Sequence, residues 1–186
     1  LVARAFIAQG QTAVYSQHAF AVYPLAVQAV GGVGIEVPAQ NFAHDLEAMA
    51  AAIAANTKVV FIANPNNPTG TWFSRRVFES FMAQVPESVL VVLDEAYVEY
   101  ATDSHFMNGF DYVDKYPNLL VSRTFSKAYG LASLRVGYAI ASPDVTNILN
   151  RVRQPFNVNS FALAAAAASL QDDEFVAQSR ALNSTG

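Results

Sequence analysis

The chain has 186 residues, of which 53% are hydrophobic and 14% charged, with no cysteine and a formal net charge of −4 at pH 7. This composition predicts one folded domain with a sizeable core, and it excludes a basic nucleic-acid footprint, disulfides and thiolate metal sites. No apolar run approaches the ~20 residues of a membrane span and the start, LVARAFIAQG, lacks the pattern of a signal peptide, so we expect a soluble cytoplasmic protein without nucleic-acid or membrane partners.

Helix and strand signals alternate along the chain. Short apolar runs rich in β-branched residues predict strands at 12–16, 33–37, 58–64, 88–97, 118–125 and 135–142. Amphipathic or alanine-rich runs predict helices at 1–9, 19–32, 45–55, 74–84, 143–153, 160–171 and in the last stretch. Asp45 stands near one helix start and Ser74 at an N-cap position. The alternation predicts an α/β fold of three layers (α/β/α), in which helices cover both faces of an open, mostly parallel sheet.

Three polar stretches follow buried strands. They are NPNNPTG (64–70), DEAY (94–97) and TFSK (124–127). Because parallel strands end at the same edge of a sheet, where such folds bind ligands, we expect the three stretches to form one site. The loop at 64–70 is rigid because of its prolines, and it would hold the side chain of Asn67 at this edge. Asn64 and Asn66 are expected to build the loop.

Asp94 and Lys127 each allow more than one interpretation. A carboxylate at the end of a buried strand needs a cation or several hydrogen bonds, so Asp94 either caps the next turn or holds a positive charge on a ligand that Tyr97 also reaches. Lys127 is one of three lysines in the chain. It is a surface lysine, a phosphate contact, or a partly buried nucleophilic amine beside a second cation, the type that forms Schiff bases.

The hydroxyls of Thr124 and Ser126, with the guanidinium of Arg135 nearby in sequence, suit a phosphate group. The chain contains neither GxxxxGK[ST] nor GxGxxG, so a nucleotide P-loop or a dinucleotide fingerprint is not supported. A ligand with a phosphate, a ring nitrogen to be kept protonated, a phenolic oxygen and an aldehyde would use every group at this edge. Pyridoxal 5′-phosphate is such a ligand.

The motifs NPNNPTGTW, DEAYVEYA and SRTFSKAYGLASLRVGYAIA, running on to RQPFNVNS, resemble those of the fold-type I, class-II pyridoxal-phosphate aminotransferases. Within that group they look like the histidinol-phosphate aminotransferase family, and the resemblance covers nearly the whole chain. It implies the large, cofactor-binding domain of that fold. It also implies that Lys127 bonds to the cofactor aldehyde and moves a proton, that Asp94 pairs with the pyridine nitrogen, and that Tyr97 and Asn67 bind the phenolic oxygen.

The same resemblance implies that Thr124, Ser126 and Arg135 hold the cofactor phosphate. It places Phe20 where relatives stack an aromatic on the cofactor ring, although Phe20 is otherwise read as a core aromatic. The histidines receive no assigned role. His18 lies near Phe20, while His44 and His105 are expected at the surface, and no pair of histidines has the spacing of metal ligands, so no metal site is predicted.

The function implied is transfer of the amino group of L-histidinol phosphate to 2-oxoglutarate in histidine biosynthesis, by a homodimer. An aromatic aminotransferase, a threonine-phosphate decarboxylase, and a regulatory module that binds the cofactor without turnover are the alternatives. Because family members are longer, we expect residues 1–186 to be a fragment that covers most of the large domain. It would lack an N-terminal phosphate-binding turn and a C-terminal small domain with its substrate-binding arginine, and it would not turn over alone.

Overall fold

The computed structural model describes residues 1–185 and contains a six-stranded sheet. The strands are β1 (Thr12–Ser16), β2 (Val33–Val37), β3 (Thr57–Ala63), β4 (Leu90–Asp94), β5 (Leu119–Thr124) and β6 (Gly137–Ala141). The helices are α1 (Val2–Phe6), α2 (Val22–Gln28), α3 (Leu46–Ala51), α4 (Arg75–Met82), α5 (Pro143–Val152), α6 (Ser160–Ser169) and α7 (Asp173–Thr185). None of these helices combines the length and hydropathy that a membrane span requires.

The strand order β2-β1-β3-β4-β5-β6 puts the carboxyl ends of five strands side by side. The first five strands in this order are parallel, and β6 runs antiparallel to β5 with Gly137 opposite Thr124. Strands β1 to β5 therefore end at one edge, and β6 begins at that same edge. The residues that follow these strands, and those that precede β6, meet there.

Two apolar cores confirm the three-layer prediction. On one face of the sheet, α3 and α4 pack on alternate strand residues, and this core includes Met49, Phe78, Phe81, Ile62 and Leu93. On the other face, α1, α2 and α5 cover the intervening strand residues, and this core includes Ile7, Tyr23, Val27, Phe61 and Val92. Burial on both faces explains why β3 and β4 read as continuous apolar runs rather than as alternating ones.

The strands predicted at 12–16 and 33–37 match β1 and β2 at both ends, whereas the helices are shorter than predicted. The run 19–32 is helical only at Val22–Gln28, and 45–55 only at Leu46–Ala51. Asp45 caps α3, since its Oδ1 accepts a hydrogen bond from the Ala48 amide at 2.9 Å. Ser74 is the N-cap residue of α4, as predicted, although its hydroxyl makes no capping hydrogen bond.

His44 is not the surface histidine that the sequence predicted. Its side chain is largely buried, and its Nε2 accepts the backbone amide of Ala63, the last residue of β3, at 3.1 Å. The neutral ring therefore carries its proton on Nδ1. Burial lowers the pKa of His44 to about 4, because a charged imidazolium loses its hydration there. The ring ties the segment before α3 to the carboxyl edge of the sheet.

Replacing Phe78 by alanine should destabilise the protein by about 3–5 kcal/mol, the usual range for removing a buried phenylalanine. Phe78 is fully buried and its ring lies against Phe73, Tyr112 and Tyr116. The measurement is urea unfolding at neutral pH. Val77→Ala on the same helix is the matched control, because Val77 is exposed; equal losses in the two variants would contradict this packing.

Lowering the pH should reduce the free energy of unfolding, because the His44 side chain takes up a proton when the protein unfolds. Its pKa is about 4 in the fold and ~6.5 in the unfolded chain, so between these values the unfolded state binds more protons. The contribution of His44 to the free energy of unfolding is therefore fully present above pH ~6.5. It falls by about 2 kcal/mol between pH 7 and pH 5. His44→Gln keeps an acceptor for the Ala63 amide and does not titrate, so its urea-unfolding curve should lack this loss. Parallel pH dependences for both proteins would refute the assignment.

Candidate functional site

A cavity of about 290 Å³ opens at the carboxyl edge of the sheet. Its volume is close to the lower end of the range of roughly 300–1,000 Å³ for small-molecule pockets. All the side chains that the sequence singled out line it, namely Phe20, Asn67, Asp94, Tyr97, Thr124, Ser126, Lys127 and Arg135. They come from four separate segments of the chain, and the strand order explains why these segments meet.

Asp94 lies at the floor of the cavity and is held by three donors. Its Oδ2 accepts the Tyr23 hydroxyl at 2.8 Å, and its Oδ1 accepts the Ala96 amide at 3.2 Å and the Ser122 hydroxyl at 3.5 Å. Burial raises the pKa of the Asp94 carboxyl, while these hydrogen bonds act in the opposite direction. Because a carboxylate has about four acceptor positions, Asp94 can still accept from a donor inside the cavity.

Tyr23 is a cavity residue that the sequence analysis missed. Its ring stacks on Phe61 with centroids 4.9 Å apart and meets the edge of Phe20 at 5.9 Å. Burial, followed by the charge of Asp94, raises the pKa of the Tyr23 hydroxyl well above its usual value, so this hydroxyl acts as a donor. The available signal was its spacing of three residues from Phe20, which places both side chains on one side of the α2 start.

Asn67 and Tyr97 meet on one wall of the cavity, where Asn67 Nδ2 donates to Tyr97 Oη at 3.3 Å. The neighbouring asparagines build the loop as predicted. Asn64 exchanges two hydrogen bonds with the backbone of Phe73, and Asn66 Nδ2 donates to the carbonyl of His18. The loop is thereby fixed to the end of β1, and it holds the Asn67 amide beside the phenol of Tyr97.

Hydrogen bonds connect three further residues of the cavity lining, namely Thr124, Ser126 and Arg135. The Ser126 amide donates to Thr124 Oγ1 at 3.1 Å, and Arg135 Nη1 donates to Ser126 Oγ at 3.4 Å and to the Ala132 carbonyl at 2.7 Å. Arg135 has φ 57° and ψ 52°, in the left-handed region. A non-glycine residue held there costs roughly 1–3 kcal/mol, and such residues cluster at active sites and ligand-binding sites.

Lys127 projects from the same loop, and its Nζ lies 5.2 Å from the centroid of the Tyr97 ring. Lys127 is exposed in this structure, so the partly buried amine considered among the alternatives from sequence is not observed. Residue 127 stands three positions beyond the end of β5 and lines the cavity. The amine is accessible to a ligand in the cavity.

A second acid lies directly behind the cavity. Glu95 is fully buried on the sheet face opposite to Asp94, and its Oε2 accepts from Arg123 Nε at 2.9 Å and Nη2 at 2.6 Å. Its Oε1 accepts the Gly109 amide at 2.6 Å; a Cβ at Gly109 would stand 2.7 Å from this oxygen, so only glycine allows the approach. The Arg123 guanidinium also lies 3.7 Å from the Phe110 ring centroid. The ion pair between Glu95 and Arg123 was not predicted from the sequence.

A larger cavity of about 470 Å³ shares Pro65, Asn67 and Tyr97 with the first and extends to the far side of that wall. Trp72, Tyr100 and Phe106 give it an aromatic lining. No group of three or more acidic, histidine or cysteine side chains among residues 1–185 is arranged to hold a metal ion.

The chain is similar in sequence and in fold to known aminotransferases. The family model for class I and II aminotransferases matches residues 1–185. The chain is 66% identical over its whole length to histidinol-phosphate aminotransferase 2 of Pseudomonas fluorescens Pf0-1 and to that of Pseudomonas aeruginosa PAO1, and it spans 50% of each relative. The structure of histidinol-phosphate aminotransferase from Sinorhizobium meliloti with pyridoxal-5′-phosphate superimposes with a TM-score of 0.91 at 32% identity, over 96% of this chain and 49% of that one. The chain thus spans about half the length of these relatives, and it belongs to the class I and II aminotransferase family.

Proposed function

We propose that the full-length protein is a pyridoxal-phosphate-dependent aminotransferase that transfers the amino group of L-histidinol phosphate to 2-oxoglutarate in histidine biosynthesis. The observation that carries the proposal is the composition of the 290 Å³ cavity. An amine, a carboxylate, a phenol, an amide and an arginine with two hydroxyls face one space. The names of the relatives at 66% identity support the amino donor.

The side chains of the cavity fit this cofactor group by group. The carboxylate of Asp94 keeps acceptor capacity for a protonated ring nitrogen, and Tyr97 with Asn67 offers donors for a phenolic oxygen. The hydroxyls of Thr124 and Ser126 and the guanidinium of Arg135 match a phosphate. Phe20 is exposed in the cavity and can cover one face of a flat ring, and Lys127 supplies the amine that an aldehyde requires.

Bound pyridoxal phosphate supplies an aldehyde and an electron-withdrawing pyridinium ring that stabilises charge developing at the α-carbon of the amino donor. Lys127 would hold the cofactor at its aldehyde carbon through Nζ, and when the amino donor takes that place the freed amine would take and return the proton at the donor α-carbon. Asp94 would keep the proton on the ring nitrogen, and its negative charge would preserve the electron-withdrawing character of the ring. Arg135, with the two hydroxyls, would hold the phosphate so that Lys127 faces the aldehyde in a constant geometry.

We assign residues 1–186 to the large, cofactor-binding domain, and the remaining length of the relatives to the N-terminal segment and the small domain. We also assign the full-length protein to the cytoplasm as a homodimer, with amino-donor and 2-oxo-acid substrates. Exposed apolar side chains on and before α6, including Phe156 at 98% and Phe161 at 80% exposure, form a surface that a second copy or the rest of the polypeptide would cover.

The same residues would also serve another class I or II aminotransferase or a threonine-phosphate decarboxylase, because all of these reactions begin with an amine on the same cofactor. A regulatory module would bind the cofactor without turnover. These alternatives differ from the main proposal in what happens to an amino donor. They share with it the requirement for Lys127, so the cofactor and the donor are tested separately.

Lys127 should be the attachment point of the cofactor. Full-length protein with pyridoxal phosphate should gain an absorbance band near the visible range, and borohydride should fix the cofactor on the peptide that contains Lys127. Lys127→Ala should lose both signals, and turnover should fall by at least about 10²–10⁴-fold, the usual contribution of a positioned acid–base group. Lys115→Ala, a surface lysine paired with Glu79, is the matched control. Unchanged labelling in Lys127→Ala would contradict the assignment of Lys127 as the attachment point of the cofactor.

L-Histidinol phosphate should be the preferred amino donor. In a single-turnover experiment it should convert the bound cofactor to its amine form faster than phenylalanine or aspartate does, and added 2-oxoglutarate should restore the starting spectrum with formation of glutamate. Release of carbon dioxide from threonine phosphate would instead identify the decarboxylase. Equal or slower conversion with histidinol phosphate would eliminate this donor but leave the reaction class intact.

A further inference from the structure

We infer that Tyr23 is a positioning residue that orients the Asp94 carboxylate toward the ring nitrogen of the cofactor, an inference that rests on the proposed function. Tyr23 makes the shortest side-chain hydrogen bond to Asp94, from its hydroxyl to Oδ2 at 2.8 Å. The competing side-chain donor, Ser122, is 3.5 Å from Oδ1. Tyr23 therefore decides which way the carboxylate faces.

The Tyr23 ring is held in place independently of Asp94. Only 6% of Tyr23 is exposed, and its ring lies nearly parallel to Phe61, with an interplanar angle of 9°. Phe61 belongs to β3, while Asp94 ends the adjacent strand β4. The hydroxyl is thus aimed at Asp94 by a ring that the sheet itself fixes, which is the arrangement expected of a group that orients another.

The charge on Asp94 also depends on this bond. Burial alone raises the pKa of Asp94, and the hydrogen bond from Tyr23 is the foremost influence that lowers it. A buried carboxylate with an unsatisfied oxygen favours its protonated form. Without the Tyr23 hydroxyl, Asp94 would turn toward other donors or take up a proton, and either change would weaken its contact with a ring cation.

Tyr23 also connects the two parts of the cavity that face the cofactor ring. Its edge meets Phe20 with ring centroids 5.9 Å apart and an interplanar angle of 87°. One side chain therefore supports both the aromatic that covers the ring face and the acid that faces the ring nitrogen. Tyr23→Phe keeps the ring and its contacts with Phe20 and Phe61, so the substitution isolates the hydroxyl.

The test compares two ligands on the full-length protein by equilibrium titration. One is pyridoxal phosphate, and the other is its 1-deaza analogue, in which a C–H replaces the ring nitrogen while the aldehyde, phenol and phosphate remain. The unmodified protein should prefer pyridoxal phosphate. Tyr23→Phe should reduce that preference by about 10- to 100-fold, as expected for the loss of a hydrogen bond to a charged group, and should leave the affinity for the analogue unchanged.

Three variants calibrate this result. Asp94→Asn should abolish the preference directly, and Ser122→Ala, which removes the longer hydrogen bond, should reduce it less than Tyr23→Phe does. Tyr15→Phe is the matched control, because Tyr15 is a buried tyrosine of the same core that makes no contact with Asp94. This variant should prefer pyridoxal phosphate over the analogue as strongly as the unmodified protein does.

The outcomes separate this inference from the proposed function. If Tyr23→Phe weakens both ligands equally, or leaves the preference intact, Tyr23 does not act through Asp94 and the inference is wrong. If the unmodified protein binds neither ligand, the proposed function itself fails. If it binds both with equal affinity, the role of Asp94 fails and the positioning role fails with it.

Discussion

The carboxylate of Asp94 is the group on which the arrangement of the site depends. It ends a strand whose four preceding residues are buried, so its charge must be satisfied by the protein or by a ligand. Its donors come from α2, from the turn after β4 and from β5. These elements reach one carboxylate because β5 pairs with β4 and because Tyr23 of α2 stacks on Phe61 of β3. Satisfaction of one buried charge therefore links the fold to the geometry of the cavity.

Glu95 is adjacent to Asp94 in the chain, but its carboxylate does not face the cavity. Successive residues at a strand end point to opposite faces, so Asp94 faces the cavity and Glu95 faces the core beneath it. Glu95 is satisfied by Arg123 and by the Gly109 amide. A buried ion pair adds little net stability, but loss of one partner leaves an uncompensated charge. The pair joins the ends of β4 and β5, and it occupies the guanidinium of Arg123, which also borders the cavity.

The sequence predicted the parts of the site that follow from local patterns. Apolar runs located β1 and β2 at their exact ends, and the rule that ligands bind at strand carboxyl ends brought Asn67, Asp94 and Lys127 together. The features that could not be predicted are contacts between residues far apart in the chain. Tyr23 and Asp94 are 71 positions apart, and Glu95 and Arg123 are 28 positions apart. No local pattern encodes such pairing. The burial of His44 was missed for the same reason, because it depends on which distant segments cover the side chain.

The charges of the cavity suit the proposed cofactor better than they suit the recognition of an amino donor. Within residues 1–185 its cations are Arg123, Lys127 and Arg135. Arg123 is bound to Glu95. Under the proposed function Arg135 would hold the phosphate and Lys127 would meet the aldehyde, so none of the three would be left to pair with an anionic amino donor. The neighbouring aromatic cavity has no lysine or arginine among its described lining residues. Under that proposal, a donor that carries a phosphate or a carboxylate would be recognised by cations outside the described residues. The described half would hold the cofactor in the same way whichever donor is used.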